Sequence, residues 1–189
     1  MRELVLIVQT SLDGFVAGPN GEFDNFIGGE ENLEFVCSIT DDADAALFGR
    51  VSYELLESEW PNAASKPDAP KNVIKYSKWY NSVSKFVLSK SLKNKIHTSP
   101  YIISENPESE IKRIKQQPGK NILIFGSPTV VHSLFDLNLI DSFWIIVHPV
   151  FFGKGIPFFR NRENIVKLDL AESKKLSGGI LCNKYIVGK

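Results

Sequence analysis

The sequence predicts an α/β fold in which helices flank a mostly parallel central sheet with an antiparallel hairpin at one edge. Short β-rich apolar runs alternate with longer helical stretches, which is typical of parallel strands joined by crossover helices. After Pro149 the pattern changes. Two β-rich runs, 166–176 and 180–187, are separated by Ser177-Gly178-Gly179, and this spacing predicts the edge hairpin.

The alternating part of the chain defines the strands and helices. Two helices have clear start signals, because Asn106-Pro107-Glu108 supplies a cap, a first-turn proline and an acid, and Gly126-Ser127-Pro128 repeats this arrangement. The stretch 61–71 is typical of a surface loop, and residues 1–189 are expected to form one domain. Strands are predicted near 2–9, 44–48, 84–88, 100–103, 121–125 and 141–149, and helices near 29–39, 50–58, 71–81, 107–117 and 128–138.

The charge balance favours small molecules or proteins as partners. The 22 basic and 22 acidic residues give a formal charge of zero, so no overall field attracts nucleic acid or anionic lipid. The chain has 189 residues, 43% of them hydrophobic, and can bury a full core, so Cys37 and Cys182 are expected to be reduced core thiols. The apolar run 4–8 is too short for a signal peptide or a membrane span, which predicts a cytoplasmic protein.

Several other site classes lack their sequence signatures. His97, His132 and His148 do not have the HExxH spacing or the nearby CxxC pairs of common metal sites, so no metal is expected. The chain has no GxSxG elbow, no GxxxxGK[ST] loop and no zinc-deaminase signature. Hydrolases of the GxSxG type, P-loop enzymes and base deaminases are therefore not expected.

A glycine between a predicted strand and a predicted helix makes an anion site at residues 47–54. The first backbone N–H groups of a helix lack partners within the helix and lie at its positive end, so a phosphate can bind there. Gly49 allows a close approach, Arg50 adds a forked cation and Ser52 adds a hydroxyl. The turn at 126–128 is a second site of this kind, although either turn could be an ordinary strand-to-helix connection.

Five segments in one order resemble the dihydrofolate reductase superfamily, and especially its riboflavin-biosynthesis branch, the RibD C-terminal domain. They are residues 10–18, 47–54, 86–91, 122–129 and 148–159, and together they span most of the chain. The resemblance implies a three-layer dihydrofolate-reductase-like fold. It also implies an enzyme that corresponds to the reductase part alone of the two-activity riboflavin protein.

The resemblance implies NADPH as the cofactor, bound at the carboxyl edge of the sheet. The segment 86–91 would meet the adenosine 2′-phosphate, and the turn at 126–128 would cover the pyrophosphate. That turn departs from the glycine pair common in the family, so its backbone is expected to approach the pyrophosphate less closely. The residues expected to bind the cofactor are Ala17, Gly49, Arg50, Ser52, Ser89, Lys90, Gly126, Ser127, Pro128 and Thr129.

The resemblance gives two candidates for the proton donor. Glu31 lies four residues before Phe35, as the catalytic acid of dihydrofolate reductases lies before a ring-contacting phenylalanine, and this spacing puts both on one helix face. Asp24 is the alternative, because the segment before the helix lacks the family's proline-tryptophan pair. The turn residue Asp13 and the aromatic side chains of Phe23 and Phe35 are the expected substrate contacts, although aromatic residues there could equally be core.

We therefore expect an NADPH-dependent reductase that acts on a small heterocycle, such as a pterin, a ribosylamino-pyrimidinone or a flavin-like ring. The alternatives are a nucleotide-binding module without turnover and an interaction protein that keeps only the fold. A homodimer is also expected, because residues 143–147 and 151–152 place more large apolar groups on one strand and loop than one chain could cover.

Overall fold

An eight-stranded sheet forms the centre of the computed structural model, which describes residues 1–92, 99–160 and 165–188. Most of the sequence-predicted elements are confirmed, with end points that differ by a few residues. The described elements are, in chain order, β1 (Leu4–Ser11), β2 (Phe15–Ala17), α1 (Glu30–Thr40), β3 (Ala43–Gly49), α2 (Arg50–Glu59), α3 (Lys71–Ser82), β4 (Ser84–Leu88), β5 (Tyr101–Ile103), α4 (Pro107–Gln116), β6 (Asn121–Phe125), α5 (Pro128–Asp136), β7 (Ser142–His148), β8 (Ile156–Pro157), β9 (Leu168–Lys175) and β10 (Leu181–Val187).

The strand order is β5-β4-β3-β6-β1-β7-β10-β9. The six strands from β5 to β7 are parallel to their neighbours, whereas β10 runs antiparallel to β7 and β9 runs antiparallel to β10. This is the predicted α/β sheet with an antiparallel edge hairpin. The short antiparallel sheet formed by β2 and β8 was not predicted.

The sheet separates two layers of helices. Alternate residues of β1 point to opposite faces, so Leu4, Leu6 and Val8 join one apolar cluster while Val5 and Ile7 join the other. The first cluster includes buried residues of α4 and α5, and the second includes buried residues of α1 and α3. The strands of the middle layer are covered on both faces, which explains their nearly continuous apolar runs.

The carboxyl ends of the six parallel strands meet at one edge of the sheet. β1 lies at the centre of this edge, between β6 and β7, although neither strand follows it directly along the chain. Chain connections leave β1 and β6 in different directions, which leaves a crevice at the ends of these two strands. Open α/β sheets bind ligands at a crevice of this kind. The fold therefore places the ends of β1, β3, β6 and β7 around one candidate site.

The apolar run on β7 is covered by the chain itself. Phe143, Trp144, Ile145 and Ile146 are only 5%, 6%, 9% and 0% exposed. Contrary to the prediction, these side chains do not need a second subunit, because helices on both faces and the neighbouring β10 account for their burial. Exposed apolar surface remains at Phe151, which belongs to the predicted patch, and lies also on the edge strand β9, so a homodimer stays a prediction.

Cys37 and Cys182 are buried free thiols, and burial raises the pKa of each. None of the helices in the described ranges is long and apolar enough to span a membrane.

Candidate active site

The two glycine turns predicted as anion sites contact each other. A Cβ added to Gly49 would lie 2.8 Å from the Cβ of Ser127 and 3.0 Å from Cγ2 of Val130. A Cβ added to Gly126 would lie 3.2 Å from Oγ of Ser52. Only glycine at residue 49 allows the end of β3 to approach the end of β6 this closely, so the starts of α2 and α5 lie side by side.

The N-termini of α2 and α5 have no side-chain caps among the residues that the structure describes. Their first-turn N–H groups are therefore available to an external acceptor, apart from Pro128, which has no N–H. Gly126 and Ser127 both adopt left-handed φ values, +60° and +48°. Ser127 thus takes a conformation that glycine adopts more easily, which is how the turn forms with a single glycine.

Basic and hydroxyl side chains lie beside this pair of turns at the ends of β3 and β4. Arg50 is exposed and pairs with Glu54, one helical turn along, at 2.7 Å. The hydroxyl of Ser89 accepts the backbone N–H groups of Ser91 and Leu92 at 3.3 and 3.0 Å, which shapes the turn after β4. Lys90 and Thr129 are exposed. Because β3 and β4 are neighbours, Arg50 and Lys90 lie at adjacent strand ends.

Asp13 ties the turn after β1 to the segment after β7. Its carboxylate accepts the Ser11 hydroxyl at 2.6 Å and the backbone N–H groups of Phe152 and Gly153 at 3.1 and 2.7 Å. Burial alone would raise the pKa of the Asp13 carboxyl, but these hydrogen bonds outweigh it and lower the pKa. The carboxylate is thus already bound by its own chain, and its contact with substrate stays a prediction.

Ala17 lies in the short β2–β8 sheet beside this turn. It is 2% exposed, and its carbonyl oxygen would lie 2.2 Å from a Cβ at residue 155. Glycine at 155 is therefore required for β8 to pair with β2, which gives Gly155 a structural role.

Glu31 connects α1 to the turn between β9 and β10. Its Oε2 accepts the backbone N–H of Ser177 at 2.7 Å. Hydrogen bonds from Ser177, by its side chain and its backbone N–H, lower the pKa of the Glu31 carboxyl. The alternative acid, Asp24, is exposed in the segment between β2 and α1. The proton-donor role of either residue stays a prediction.

The structure separates the two phenylalanines expected to line the substrate pocket. Phe23 is 51% exposed, whereas Phe35 is 4% exposed and packs edge-on against Trp144 with ring centroids 5.1 Å apart. Phe35 therefore belongs to the core under α1, as the alternative interpretation of this residue anticipated. Its contact with substrate also stays a prediction.

A family model for the RibD C-terminal domain matches residues 2–182. The chain belongs to the RibD C-terminal domain family. The protein YyaP of Bacillus subtilis (strain 168), whose function is uncharacterised, is 29% identical over 180 residues, which cover 95% of this chain and 92% of YyaP.

Solved structures place this RibD C-terminal domain within the dihydrofolate-reductase-like fold. A riboflavin biosynthesis protein from Shewanella sp. PV-4 aligns with a TM-score of 0.75 and 18% identity over 99% of both chains. A pyrimidine reductase-like protein from Corynebacterium diphtheriae aligns with a TM-score of 0.69 and 15% identity over 100% of this chain and 92% of that one. Dihydrofolate reductase from Enterococcus faecalis, in complex with NADP(H), aligns with a TM-score of 0.64 and 10% identity over 99% of this chain and 97% of that one.

A polar network that the sequence did not predict lies in this RibD C-terminal domain, between the ends of β1 and β7 and the start of α1. His148 is fully buried, its Nδ1 accepts the backbone N–H of Ile27 at 3.2 Å, and its Nε2 is 2.8 Å from Oε1 of Gln9. Asn32 Nδ2 donates to the same oxygen at 3.1 Å. Burial lowers the pKa of His148 to about 4, so the ring is neutral at pH 7. The signal available in the sequence was Gln9, a polar residue inside an apolar strand.

The segment before α1 covers this network. The ring of Phe26 lies 4.7 Å from that of His148 and 5.0 Å from that of Phe152, between ring centroids. Over the described parts of the chain, no three His, Cys, Asp or Glu side chains are placed to hold a metal ion. His97 lies outside the described residues.

Proposed function

We propose that this RibD C-terminal domain is an NADPH-dependent reductase of a small, flat heterocycle, such as a pterin, a ribosylamino-pyrimidinone or a flavin-like ring. The observation that supports the proposal most strongly is the contact between the turns at Gly49 and Gly126. It places two helix N-termini next to each other at the carboxyl edge of the sheet, where a dinucleotide pyrophosphate needs backbone donors. Membership in a family with a reductase-type fold supports the same proposal.

The residues of the two turns fit the phosphates of a dinucleotide. The first-turn N–H groups of α2 and α5 would donate to the pyrophosphate oxygens, and the Ser52 hydroxyl, next to Gly126, would add a donor. Glycine at 49 and 126 keeps side-chain atoms out of the space in which the backbones approach each other. Thr129, exposed in the first turn of α5, would lie beside the same phosphates.

The adjacent cations at the ends of β3 and β4 would favour NADPH over NADH. A 2′-phosphate adds charge that Arg50 and Lys90 can bind with charge-assisted hydrogen bonds. Arg50 is exposed, and its pair with Glu54 holds the guanidinium at the start of α2. Ser89, the first residue after β4, would contribute a hydroxyl, although its lone pairs already accept two backbone N–H groups.

The chemistry that bound NADPH supplies is hydride transfer to the heterocycle. The protein must then hold the two rings together and provide a route for one proton. The Ser177 hydrogen bond favours the ionised form of Glu31, in which this residue would orient a substrate N–H. Glu31, Asp24 and solvent are therefore three sources of the proton that kinetics can separate.

The same Glu31 contact favours a second candidate function, a module that binds the nucleotide but catalyses no reaction. The carboxylate that would donate the proton is already bound to the β9–β10 turn. In such a module the phosphate-binding turns would keep their role while the proton route would be missing.

One assay separates the two functions. NADPH absorbance at ~340 nm is followed while the protein is mixed with oxidised pterins, ribosylamino-pyrimidinones and flavins, and NADPH binding is measured in parallel by thermal shift. Oxidation of NADPH that requires protein and one heterocycle supports the reductase. Binding without oxidation supports the module, and failure of both NADPH and NADH to raise the Tm contradicts both.

A further inference from the structure

We propose that the carboxamides of Gln9 and Asn32 select the substrate by binding the lactam edge of a flat heterocycle, that is, a ring carbonyl next to a ring N–H. The inference deepens the proposed function and rests on it, because this heterocycle would be the ring that accepts the hydride. Gln9 and Asn32 lie where the end of β1 meets the first turn of α1, and β1 neighbours β6, which carries one phosphate-binding turn.

The orientation of the Gln9 carboxamide is fixed by a chain of hydrogen bonds. The backbone N–H of Ile27 can only donate, so Nδ1 of His148 must accept. The neutral ring then carries its proton on Nε2, which donates to Oε1 of Gln9. Asn32 Nδ2 donates to the same oxygen. Both acceptor positions of Oε1 are therefore used, and the amide nitrogen of Gln9 has no acceptor among the described residues.

Asn32 supplies the complementary group. Its Oδ1 is buried and has no hydrogen-bond partner within the described residues. The Asn32 amide cannot flip to give its oxygen a partner, because Nδ2 would then lose its hydrogen bond to Gln9. Buried carbonyl groups of this kind are rare in folded proteins because they destabilise them. A ligand N–H that reached this oxygen would satisfy it.

The two free groups match one kind of ligand edge. Gln9 offers a donor, which needs a carbonyl oxygen, and Asn32 offers an acceptor, which needs an N–H. A lactam presents these two atoms side by side on a flat ring. His148 is a positioning residue in this arrangement, because it would touch no ligand and its neutral ring holds the oxygen end of the Gln9 amide, which leaves the nitrogen end for a ligand.

Two fluorescent probes test the inference without NADPH. Lumazine, a pteridine-2,4-dione, has lactam N–H groups, whereas 1,3-dimethyllumazine keeps both carbonyls and lacks those N–H groups. We expect the wild type to bind lumazine at least tenfold more tightly. Asn32→Leu, which is close in size, should reduce lumazine affinity to that of the dimethyl compound. Gln9→Glu, which keeps an acceptor toward His148 and Asn32 but loses the donor, should weaken both probes at least tenfold.

A matched control keeps the result specific to these two residues. Asn183 lies on β10, where its Oδ1 accepts the Ser173 hydroxyl at 2.6 Å, so Asn183→Leu also removes a carboxamide and should leave the lumazine preference unchanged. Circular dichroism and NADPH titration check that each variant is folded.

The inference is overturned if wild type binds the two probes equally, binds neither, or keeps its preference in Asn32→Leu. These outcomes are distinct from failure of the proposed function. A protein that binds NADPH without preferring lumazine refutes only the lactam inference, and one that prefers lumazine without binding NADPH refutes only the reductase.

Discussion

Acid should destabilise this protein through His148 before most carboxylates titrate. Burial lowers the pKa of His148 from its usual 6.5 to about 4, because a fully buried ring loses the hydration that favours its charged form. Between these two values the unfolded chain binds a proton that the folded chain does not. The contribution of the neutral His148 ring to the free energy of unfolding is therefore fully present above pH 6.5 and is lost as the pH falls toward 4.

The size of the effect follows from the two pKa values. At 1.36 kcal/mol per unit, a fall from 6.5 to about 4 corresponds to roughly 3 kcal/mol, of which about 2 kcal/mol is lost between pH 7 and pH 5. Urea denaturation at both pH values measures the free energy of unfolding of wild type and of His148→Gln, which has no titrating ring. We expect the variant to lose about 2 kcal/mol less than wild type. Equal losses in the two proteins would refute the reasoning.

Three further predictions concern the cofactor, the proton and the assembly. Arg50→Ala should reduce the preference for NADPH over NADH by roughly tenfold or more in equilibrium titrations, since a charged hydrogen bond contributes about 1.5–3 kcal/mol; an unchanged preference would contradict it. Glu31→Gln should slow turnover by about 10²–10⁴-fold with NADPH affinity kept, whereas the same loss in Asp24→Asn alone would move the role to Asp24. Sedimentation should show a homodimer that Leu170→Lys weakens, because Leu170 is 58% exposed on β9, whose outer edge has no partner strand among the described residues; a monomer at micromolar concentration would contradict it.

Local patterns predicted most of the fold. The alternation of apolar runs placed the strands and helices, because each element's period depends on residues near one another in sequence. Ser177-Gly178-Gly179 marked the edge hairpin for the same reason. The β2–β8 sheet escaped prediction because its strands have only three and two residues, and its pairing depends on the close approach of Gly155 to Ala17.

The candidate site was predictable only in part. The turns at Gly49 and Gly126 are local motifs, but their contact depends on β3 and β6 being neighbours in the sheet. Glu31 and Ser177 are 146 residues apart, and Gln9 and His148 are 139 apart, so no local pattern links them. The burial of the β7 run could not be predicted because the sequence does not show that β10 pairs with the free edge of β7.

The central claim is that the paired turns at the ends of β3 and β6 bind the pyrophosphate of NADPH. The most direct test is an NADPH titration, followed by nucleotide fluorescence, of wild type, Gly49→Ala and Gly28→Ala. The Cβ added at 49 would lie 2.8 Å from that of Ser127 and force the turns apart, whereas the one added at 28 would meet no described atom within 4 Å. We predict saturable binding by wild type and Gly28→Ala and at least tenfold weaker binding by Gly49→Ala. No binding by wild type, or equal binding by all three, would contradict the claim.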